Sequence, residues 1–455
     1  MNMQPPKKYT VLSLFSGGMG LDLGLEATGC FETVACIEKI PTFCETIRLN
    51  QKRGRLPKNL KVIEGDISQL SPETVLSSIG LRADDIDVIV GGPPCQSFST
   101  AGKRGTTQDP RGTLLWDFLR FVEHIKPKFF LMENVRGLLS AALKHRPIAD
   151  RPEKGGPPLS EDEMPSSVVQ LFASDLANFD AAGYHLDIYE VNAVNYGAPQ
   201  IRERVFFIGN RYNIAVEFPT QTHGQTLRNE ISGAQTGLFE TPLLQPWRTL
   251  GDAISDLRET NPTVLDFSPR KKRYLEMIPP GSNWRSLPEE LQKESMGKAW
   301  FAKGGRSGWW RRLTFDLPCP TLVTMPNHAS TALCHPTETR ALSIREYARI
   351  QEFPDDWEFY GTVSEQYTQV GNAVPTRLGM VAGNVLADNL QKVTDRELKP
   401  TAVSSSEPRI VYLQSHVRTR QWFKNGKVII WDDDEENGGA AYGTPKTIKK
   451  VRGLR

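Results

Sequence analysis

Short apolar runs alternate with stretches of helical periodicity over the first 210 residues. Residues 113–125, for example, place their large apolar side chains on one helical face. Strands that alternate with helices usually pair in parallel, because each crossover returns the chain to the same end of the sheet. We therefore predict an α/β fold with a doubly wound, mostly parallel sheet. Its strands are expected at residues 11–15, 33–38, 61–66, 87–90, 129–132, 186–191 and 205–208.

Net charge, cysteine spacing and apolar runs each exclude a class of protein or remove an argument for one. The formal net charge of the 455 residues is only +2, so a nucleic-acid partner cannot be argued from bulk charge. The six cysteines include no Cys-x-x-Cys pair, which argues against a zinc site and a disulfide framework and favours a reducing cytoplasm. No apolar run approaches the length of a membrane span, and the N-terminus lacks the apolar core of a secretory signal.

Changes in strand–helix alternation and in composition divide the chain into predicted domains. Residues 1–212 form the predicted α/β unit, and 147–165 within it are expected to be a loop. Residues 213–340 lose the alternation and carry five of the nine tryptophans, which predicts a smaller, irregular domain. A connecting helix opened by a capping box at Ser343 is expected in 341–364, and 365–395 should complete the first unit. In the extension 400–455, Asn425-Gly426 between β-prone runs predicts a hairpin after a serine linker.

Reactive or polar side chains follow the predicted strands where each one ends. They are the glycine-rich turn at 15–20, Glu38, Asp66, Cys95 and Glu133. In an open α/β sheet, ligands bind outside the carboxyl ends of the strands. The glycine turn lacks the Gly-Lys-Ser/Thr ending of a P-loop, and Glu38 follows at the distance of a ribose-binding carboxylate. A nucleoside cofactor without phosphates fits this pattern, and S-adenosylmethionine is one. Glu38 or Asp66 taken alone is more often a solvated surface charge, whereas Glu133 follows four apolar strand residues and is expected to be only partly solvated.

The segment Gly-Gly-Pro-Pro-Cys-Gln-Ser-Phe-Ser at 91–99 presents a thiol directly after a strand. Pro93 and Pro94 have fixed φ angles and no N–H group, so the loop is stiff and cannot join the sheet. Most free cysteines are small buried hydrophobes, but this setting favours Cys95 as a nucleophile. Further on, Gln200, Arg202 and Arg204 alternate and share one face of extended chain. That face is either a solvated edge or a guanidinium pair aimed at a carbonyl or phosphate oxygen.

Taken together and in this order, the motifs resemble the DNA (cytosine-5) methyltransferase family of bacterial restriction-modification type. The matching blocks are 15–20, 91–99, 133–135, 200–204, 345–354 and 371–375. The resemblance implies a Rossmann-like S-adenosylmethionine-dependent catalytic domain (1–212 with 365–395), a target-recognition domain (213–340) and a hinge (341–364).

The resemblance also implies roles for the catalytic residues. Cys95 resembles the nucleophile that adds to C6 of a flipped cytosine, which activates C5 toward the methyl group. Glu133 resembles the group that binds and protonates N3, and Asn134 the residue that orients the loop. Arg204 is similar to the contact to O2, with Arg202 supporting the loop or a phosphate. No histidine accompanies these motifs, so water is the expected base for the C5 proton.

Cofactor and DNA contacts follow from the same resemblance. Phe15 is expected to stack near the adenine, Glu38 to bind the ribose, and Asp66 with Ile67 to bind the adenine edge. The expected cofactor site also includes Ser16, Gly17, Gly18, Gly20, Leu21, Lys39, Pro93, Asn372 and Val374. The expected DNA contacts are Gln96, Ser97, Ser99, Lys103, Arg104, Arg306, Arg311, Arg312 and Thr321. Lys103 and Arg104 could equally be solvated loop charges, and the tryptophans beside Arg311 could equally be core of the small domain.

The expected function is methylation of C5 in a specific double-stranded DNA sequence, with S-adenosyl-L-homocysteine as product and without a metal. A monomeric, cytoplasmic, nucleoid-associated bacterial enzyme is expected, with a cognate restriction endonuclease in the same system and no membrane contact. Because the expected catalytic domain begins near residue 9, a small bacterial-type enzyme is favoured over a maintenance methyltransferase with reader modules. Two alternatives stay open: an RNA cytosine-5 methyltransferase, and a catalytically silent DNA-binding relative. The length of 213–340 favours duplex DNA, and the presence of Cys95 and Glu133 favours an enzyme.

Overall fold

A single mixed sheet organises the protein. The structure is a computed structural model that describes residues 8–94, 113–179, 183–224, 244–301, 308–403, 407–413, 420–424 and 427–431. Eight strands pair in the order β10-β6-β7-β5-β4-β1-β2-β3, and only β7 runs antiparallel to its neighbours. Their bounds are Tyr9–Leu14 (β1), Phe31–Glu38 (β2), Lys61–Glu64 (β3), Val88–Gly91 (β4), Phe129–Asn134 (β5), His185–Asn192 (β6), Glu203–Asn210 (β7) and Arg409–Tyr412 (β10). The predicted α/β sheet is therefore confirmed, and β10 is an addition to it.

Helices cover both faces of the sheet. They are Gly20–Glu26 (α1), Pro41–Lys52 (α2), Pro72–Ile79 (α3), Leu114–Ile125 (α4), Ser167–Ala177 (α5), Leu250–Ile254 (α6), Pro269–Glu276 (α7), Glu289–Met296 (α8), Ile344–Ile350 (α9), Val363–Asn372 (α10) and Thr376–Asp395 (α11). One core cluster packs α3, α4 and α5 on one face, and a second packs α1 and α11 on the other. Each fully buried large apolar side chain in these clusters contributes roughly 1.5–3 kcal/mol. This two-sided covering confirms the doubly wound arrangement.

Close packing of two helices joins the two ends of the fold. A Cβ added at Gly24 would lie 2.3 Å from the Thr376 carbonyl oxygen and 2.6 Å from the Gly379 Cα. A Cβ added at Gly20 would lie 2.3 Å from the Val374 carbonyl oxygen. Only glycine allows α1 and α11 to approach this closely. Residues near 375 are thereby held against the loop that follows β1.

Residues 213–340 are irregular, as the sequence predicts. Among the residues described there, regular structure is limited to α6–α8, short 3₁₀ turns and the two-residue strands His223–Gly224 (β8) and Gln245–Pro246 (β9). One apolar cluster, which includes Tyr274, Trp284 and Trp310, belongs mainly to this region. A second cluster joins Leu250 and Leu322 to α9 and to residues of the sheet unit. The region therefore shares core with its neighbours, and its boundaries at 213 and 340 stay a prediction.

The C-terminal extension adds structure beyond the predicted sheet. Strand β10 pairs in parallel with β6, from Arg409 opposite Asp187 to Tyr412 opposite Glu190. The Arg409 guanidinium binds the fully buried Asp187 carboxylate at 2.5 Å and Glu217 at 2.9 Å. The predicted hairpin is confirmed as Arg420–Lys424 (β11) paired antiparallel with Lys427–Trp431 (β12). Its Asn425-Gly426 turn and the serine linker 404–406 lie outside the described residues.

Two local predictions have clear outcomes. Ser343 caps α9 with a capping box: its Oγ accepts the Glu346 N–H, and the Glu346 carboxylate accepts the Ser343 N–H. Residues 147–165 form a connection as expected, and it contains 3₁₀ turns at Ile148–Asp150, Pro152–Lys154 and Glu161–Glu163. In the described part of the chain, no helix is both long and apolar enough to span a membrane.

Candidate active site at the carboxyl edge of the sheet

The sheet brings the predicted site segments to one edge. Strands β1, β2, β3, β4 and β5 are parallel, so the residues that follow them lie at the same end. Strand β7 is antiparallel to β5, so its first residues, rather than its last, lie at that end. Glu133 at the end of β5 is directly opposite Phe206, which makes Arg204 its diagonal neighbour on the same face. A single reversed strand thus places a guanidinium beside the carboxylate.

Glu133 and Arg204 form the central ion pair of this edge. Arg204 Nε lies 2.6 Å from Glu133 Oε1, and the Arg204 and Glu133 side chains are 10% and 12% exposed. Arg204 Nη1 also donates to the carbonyl oxygen of Glu203 at 2.7 Å. At this partial burial the attraction is screened far less than in a surface pair. The carboxylate and the guanidinium are therefore held in a defined geometry while they keep access to the edge.

Asn134 holds the segment that leads to Cys95. Its Nδ2 donates to the Pro93 carbonyl oxygen at 3.0 Å, and its Oδ1 accepts the Val135 N–H at 2.9 Å. A Cβ at Gly92 would lie 3.0 Å from Glu133 Oε2, so glycine lets this segment approach the carboxylate. The bonds agree with the loop-orienting role expected of Asn134. Cys95 itself lies outside the described residues, as do Gln96, Ser97, Ser99, Lys103, Arg104 and Arg306.

Arg202 differs from its expected catalytic role. Its side chain is 1% exposed, and its Nη atoms donate to the carbonyl oxygens of Leu322 at 3.2 Å and Gly371 at 2.8 Å. Burial lowers the pKa of this guanidinium well below its ordinary value, and the like charge of Arg204 adds to the effect. A side chain enclosed in this way cannot reach a phosphate or a base. The supporting role expected of Arg202 agrees with this geometry, and contact with substrate does not.

The loop after β1 has the backbone expected of a nucleoside-binding turn. Phe15 and Met19 have positive φ angles of 56° and 63°, and Gly17 has 53°. Left-handed conformations cost a non-glycine residue roughly 1–2 kcal/mol, so the surrounding contacts must stabilise this turn. The Gly17 N–H donates to Glu38 Oε2 at 2.9 Å, and Oε1 of the same carboxylate accepts the Ile40 N–H at 2.9 Å. Glu38 therefore shapes the turn and keeps lone pairs for further donors.

Lys39 and Asp66 form an accessible ion pair at the same edge. Lys39 Nζ lies 2.6 Å from Asp66 Oδ2, and Asp66 Oδ1 accepts from Ser68 N at 3.1 Å and Ser68 Oγ at 2.8 Å. The hydrogen bond from Lys39, followed by those from Ser68, lowers the pKa of Asp66 to about 2. The carboxylate is therefore ionised at neutral pH. It is a ready acceptor for hydroxyl or amino hydrogens.

Other expected cofactor residues are packing residues. Ile67, Leu21 and Val374 are 3%, 7% and 7% exposed and belong to apolar clusters. Gly20 packs against the Val374 carbonyl oxygen, as described above. Ser16, Gly18 and Pro93 are also buried, and Ser16 Oγ hydrogen-bonds with Ser13 Oγ at 2.8 Å. These residues therefore support the turn by packing, and their contact with the cofactor stays a prediction. Phe15, Gly17, Lys39, Asp66 and Asn372 keep accessible surface.

The two adjacent arginines of the recognition region have different surroundings. Arg312 is 5% exposed and donates to the carbonyl oxygens of Leu275, His335 and Glu338, so its expected DNA contact is wrong. Arg311 is only partly buried; its backbone carbonyl oxygen accepts the Cys334 N–H at 3.2 Å, and its guanidinium makes no hydrogen bond or ion pair with the described residues. Burial lowers its pKa. Trp310 is 3% exposed, which confirms the core alternative for that tryptophan. Arg311 is thus the cation of this pair that can accept an anionic partner.

Thr321 links the recognition region to the catalytic edge. Its exposed Oγ1 donates to the Ile201 carbonyl oxygen at 2.8 Å, while Ile201 N donates to the Cys319 carbonyl oxygen at 2.8 Å. Gln351 was given no individual role in the sequence analysis. It is fully buried, and its Oε1 accepts a hydrogen bond from Gln200 Nε2, next to Ile201. The signal for it in the sequence was its position in the matching block 345–354, at the end of the helix that begins after Ser343. The described residues contain no group of three or more His, Cys, Asp or Glu side chains suited to a metal ion.

Comparison with known proteins identifies the family. The family model described as C-5 cytosine-specific DNA methylase matches residues 9–387. The type II methyltransferase M.Sau96I of Staphylococcus aureus is 36% identical over 86% of this chain and 78% of its own length. M.Eco47II of Escherichia coli is 36% identical over 85% and 81%. A crystal structure of a candidate DNA modification methyltransferase from an E. coli prophage shares the fold, with a TM-score of 0.53 and 24% identity over 84% of this chain and 100% of that one. The chain therefore belongs to the C-5 cytosine-specific DNA methylase family and is a DNA (cytosine-5) methyltransferase.

Proposed function

We propose that this enzyme transfers a methyl group from S-adenosylmethionine to C5 of a flipped cytosine in one specific DNA duplex sequence, through a covalent bond between Cys95 and C6. The Glu133–Arg204 pair beside the segment that leads to Cys95 carries the proposal. A cytosine ring offers N3 and O2 on one edge. A carboxyl group and a guanidinium 2.6 Å apart can bind those two atoms together.

The proposed chemistry follows from the electron demand of the ring. The Cys95 thiolate adds to C6, and Glu133, after it has taken up a proton from water, donates that proton to N3 as charge moves toward that atom. Arg204 stabilises the charge that remains at O2. The resulting enamine carries electron density at C5, which takes the methyl group. Loss of the C5 proton to water then expels the thiolate, and N3 returns its proton to Glu133.

The cofactor supplies an electrophilic methyl group on a sulfonium sulfur. The residues at the edge fit its adenosine part: the positive-φ turn at Phe15 and Gly17 leaves room beside the backbone, with no atom other than the Phe15 carbonyl oxygen within 4 Å of a Cβ at Gly17. Glu38 and Asp66 are acceptors for ribose hydroxyls and the adenine amino group. Asn372 at the C-terminal end of α10 is exposed and is the proposed contact from that helix.

The DNA side of the proposal uses the recognition region. Cytosine C6 is unreachable inside a duplex, so the base must leave the stack. Arg311, whose guanidinium has no anionic partner among the described residues, is the candidate phosphate or base contact of the recognition region. Thr321, which bonds to Ile201, is a second candidate contact at the catalytic edge. The relatives named as type II methyltransferases support a modification role beside a restriction endonuclease.

The decisive experiment is bisulfite sequencing of DNA from cells that express the chain. We expect 5-methylcytosine at one recurring sequence and none in cells that express Cys95→Ala. Purified Cys95→Ala should also transfer no tritium from labelled S-adenosylmethionine to DNA. A covalent adduct with 5-fluorocytosine in RNA but not in DNA would contradict the assignment of the substrate. Undiminished transfer by Cys95→Ala would contradict the mechanism.

A further inference from the structure

Gln200, Arg202 and Gln351 form one buried polar cluster, which we call the glutamine junction. Their exposed fractions are 0%, 1% and 0%. Buried polar groups are costly unless hydrogen-bonded, and the side-chain nitrogen and oxygen atoms of this cluster all have partners except Arg202 Nε. The junction lies between the recognition region and the segment that follows α10.

Gln351 is bonded in two directions. Its Nε2 donates to the carbonyl oxygens of Val370 at 2.7 Å and Ala373 at 2.9 Å, on either side of Asn372. Its Oε1 accepts from Gln200 Nε2 at 2.9 Å. The amide therefore joins the end of α10, where the proposed cofactor contact Asn372 lies, to the segment that precedes β7.

Gln200 and Arg202 extend the same bonds to the recognition region. Gln200 Oε1 accepts the Leu322 N–H at 3.0 Å, and Arg202 Nη1 donates to the Leu322 carbonyl oxygen at 3.2 Å. Arg202 Nη2 donates to the Gly371 carbonyl oxygen at 2.8 Å, within α10. Arg204, the proposed contact to cytosine O2, is only two residues further along the chain. Three functional segments thus share one set of hydrogen bonds.

A shift of any one segment must disturb the others. Each buried donor or acceptor left without a partner costs roughly 1–3 kcal/mol, so the three segments hold their bonds most favourably in one common arrangement. Direct contact between the segments is also close: a Cβ at Gly371 would lie 2.9 Å from the Val323 carbonyl oxygen. Motion at 370–374 therefore reaches 319–323 and 199–204 through contiguous bonds.

We propose that Gln351 is a positioning residue that couples cofactor binding at 370–374 to the order of the target-base segment 199–204 and the recognition segment 319–323. The proposal rests on the function proposed above for Asn372, Arg204 and Thr321. Cofactor binding would order the DNA-binding elements before DNA arrives. The amide of Gln351 contributes to that order because it bonds both to the Asn372 segment and to Gln200, beside Arg202, which bonds to Gly371, Gln200 and Leu322.

Hydrogen exchange of the full chain, with and without S-adenosylhomocysteine as the probe, tests this without DNA. In the unmodified protein we expect exchange to slow about five-fold or more at 370–374, 199–204 and 319–323. In Gln351→Met, which keeps the side-chain volume and loses the amide, slowing should persist near 15–20 and 38 and become clearly weaker at 199–204 and 319–323, where the Arg202 bonds to Leu322 and Gly371 remain. Gln351→Glu, which keeps Oε1 and loses both donors, should behave in the same way.

The control substitution is Asn50→Leu. Asn50 is also fully buried, and its amide also bonds two backbone carbonyl oxygens, those of Thr46 and Glu358, away from the junction. It should destabilise the protein and keep the ligand-induced slowing at all three segments. Slowing confined to the cofactor loops in the unmodified protein, or unchanged long-range slowing in the folded Gln351 variants, overturns the coupling alone. No slowing anywhere would instead contradict the proposed cofactor site.

Discussion

Arg204 Nε approaches Glu133 Oε1 to 2.6 Å across the only antiparallel pairing that β5 makes among the described strands. The pair exists because β7 is reversed: its first residues reach the edge where the parallel strands end. Had β7 run parallel, Arg204 would lie at the opposite end of the sheet. The contact thus places the two groups that can recognise one cytosine edge on neighbouring strands.

Glu133→Gln should abolish proton donation to N3 and keep the fold. We expect the rate of methyl transfer to fall roughly 10²–10⁴-fold, the usual contribution of a general acid, with little change in binding of S-adenosylhomocysteine. Tritium transfer into DNA under single-turnover conditions measures this. Glu203→Gln is the matched control, since Glu203 lies beside Arg204 and pairs with Arg136 instead. A Glu133→Gln enzyme that retained most of its rate would remove Glu133 from the mechanism.

Arg311→Ala should lower DNA affinity, whereas Arg312→Ala should lower the free energy of unfolding. The Arg311 guanidinium has no hydrogen bond or ion pair with the described residues, so its removal should leave stability nearly unchanged, weaken DNA affinity and reduce the salt dependence by about one ion. Arg312 holds several buried carbonyl oxygens, so its loss should cost about 3 kcal/mol or more of the free energy of unfolding. Fluorescence anisotropy at several salt concentrations and urea unfolding measure the two effects. Equal effects of the two substitutions would contradict this division.

Gly20→Ala should be strongly destabilising. The added Cβ would lie 2.3 Å from the Val374 carbonyl oxygen, far inside van der Waals contact, so α1 and the segment before α11 must separate. Overpacking of this kind costs about 1–3 kcal/mol, and a backbone obstacle favours the upper end. Gly137→Ala is the control, because nothing lies within 4 Å of its Cβ position. Urea unfolding should show a loss for Gly20→Ala only, and similar midpoints for both would contradict the close approach.

Asp22→Asn should change how stability depends on pH. Burial raises the pKa of Asp22 to about 7, against 3.8 for an ordinary aspartate. Between those values the folded state holds a proton that the unfolded state has released, so stability falls as pH rises and is lowest above pH 7. The asparagine variant lacks this loss. It should therefore be no more stable than the parent at pH 4 but more stable at pH 8.5 by a few kcal/mol, because each pH unit between the two pKa values contributes about 1.4 kcal/mol.

Asp84→Asn, at an exposed position, is the control for that measurement. Its effect on the free energy of unfolding should be small at both pH values. If Asp22→Asn changed stability equally at pH 4 and pH 8.5, the titration of Asp22 between them would be excluded.

Arg409→Leu should detach the eighth strand. It leaves the fully buried Asp187 carboxylate without its guanidinium, and removing one partner of a buried pair costs roughly 3–5 kcal/mol. The double variant Arg409→Leu with Asp187→Leu should regain part of that loss, because no charge is then left unpaired. Arg396→Leu, at an exposed position, controls for the loss of an arginine. An Arg409→Leu protein as stable as this control would show that the extension adds nothing to the fold.

Local chemistry was sufficient to predict much of this protein. Apolar periodicity predicted the strands and α4, because side chains buried by a strand or a helix must recur every second residue or every third to fourth. The capping box at Ser343 and the Asn-Gly hairpin were predicted because their bonds form within a few residues. Phe15, Glu38, Asp66 and Glu133 were predicted to lie at one edge of the sheet, because the carboxyl ends of parallel strands all lie on the same side.

Tertiary structure alone decided which polar side chains remain accessible. Arg202 and Arg204 have the same side chain and the same strand face in sequence, yet one is enclosed by carbonyl oxygens from 322 and 371 and the other meets Glu133. Arg311 and Arg312 differ in the same way. Strand β10 also escaped prediction, because its partner Asp187 is more than 200 residues away. The burial of a side chain depends on contacts between segments that are distant in sequence. A local sequence pattern does not determine which segments make those contacts.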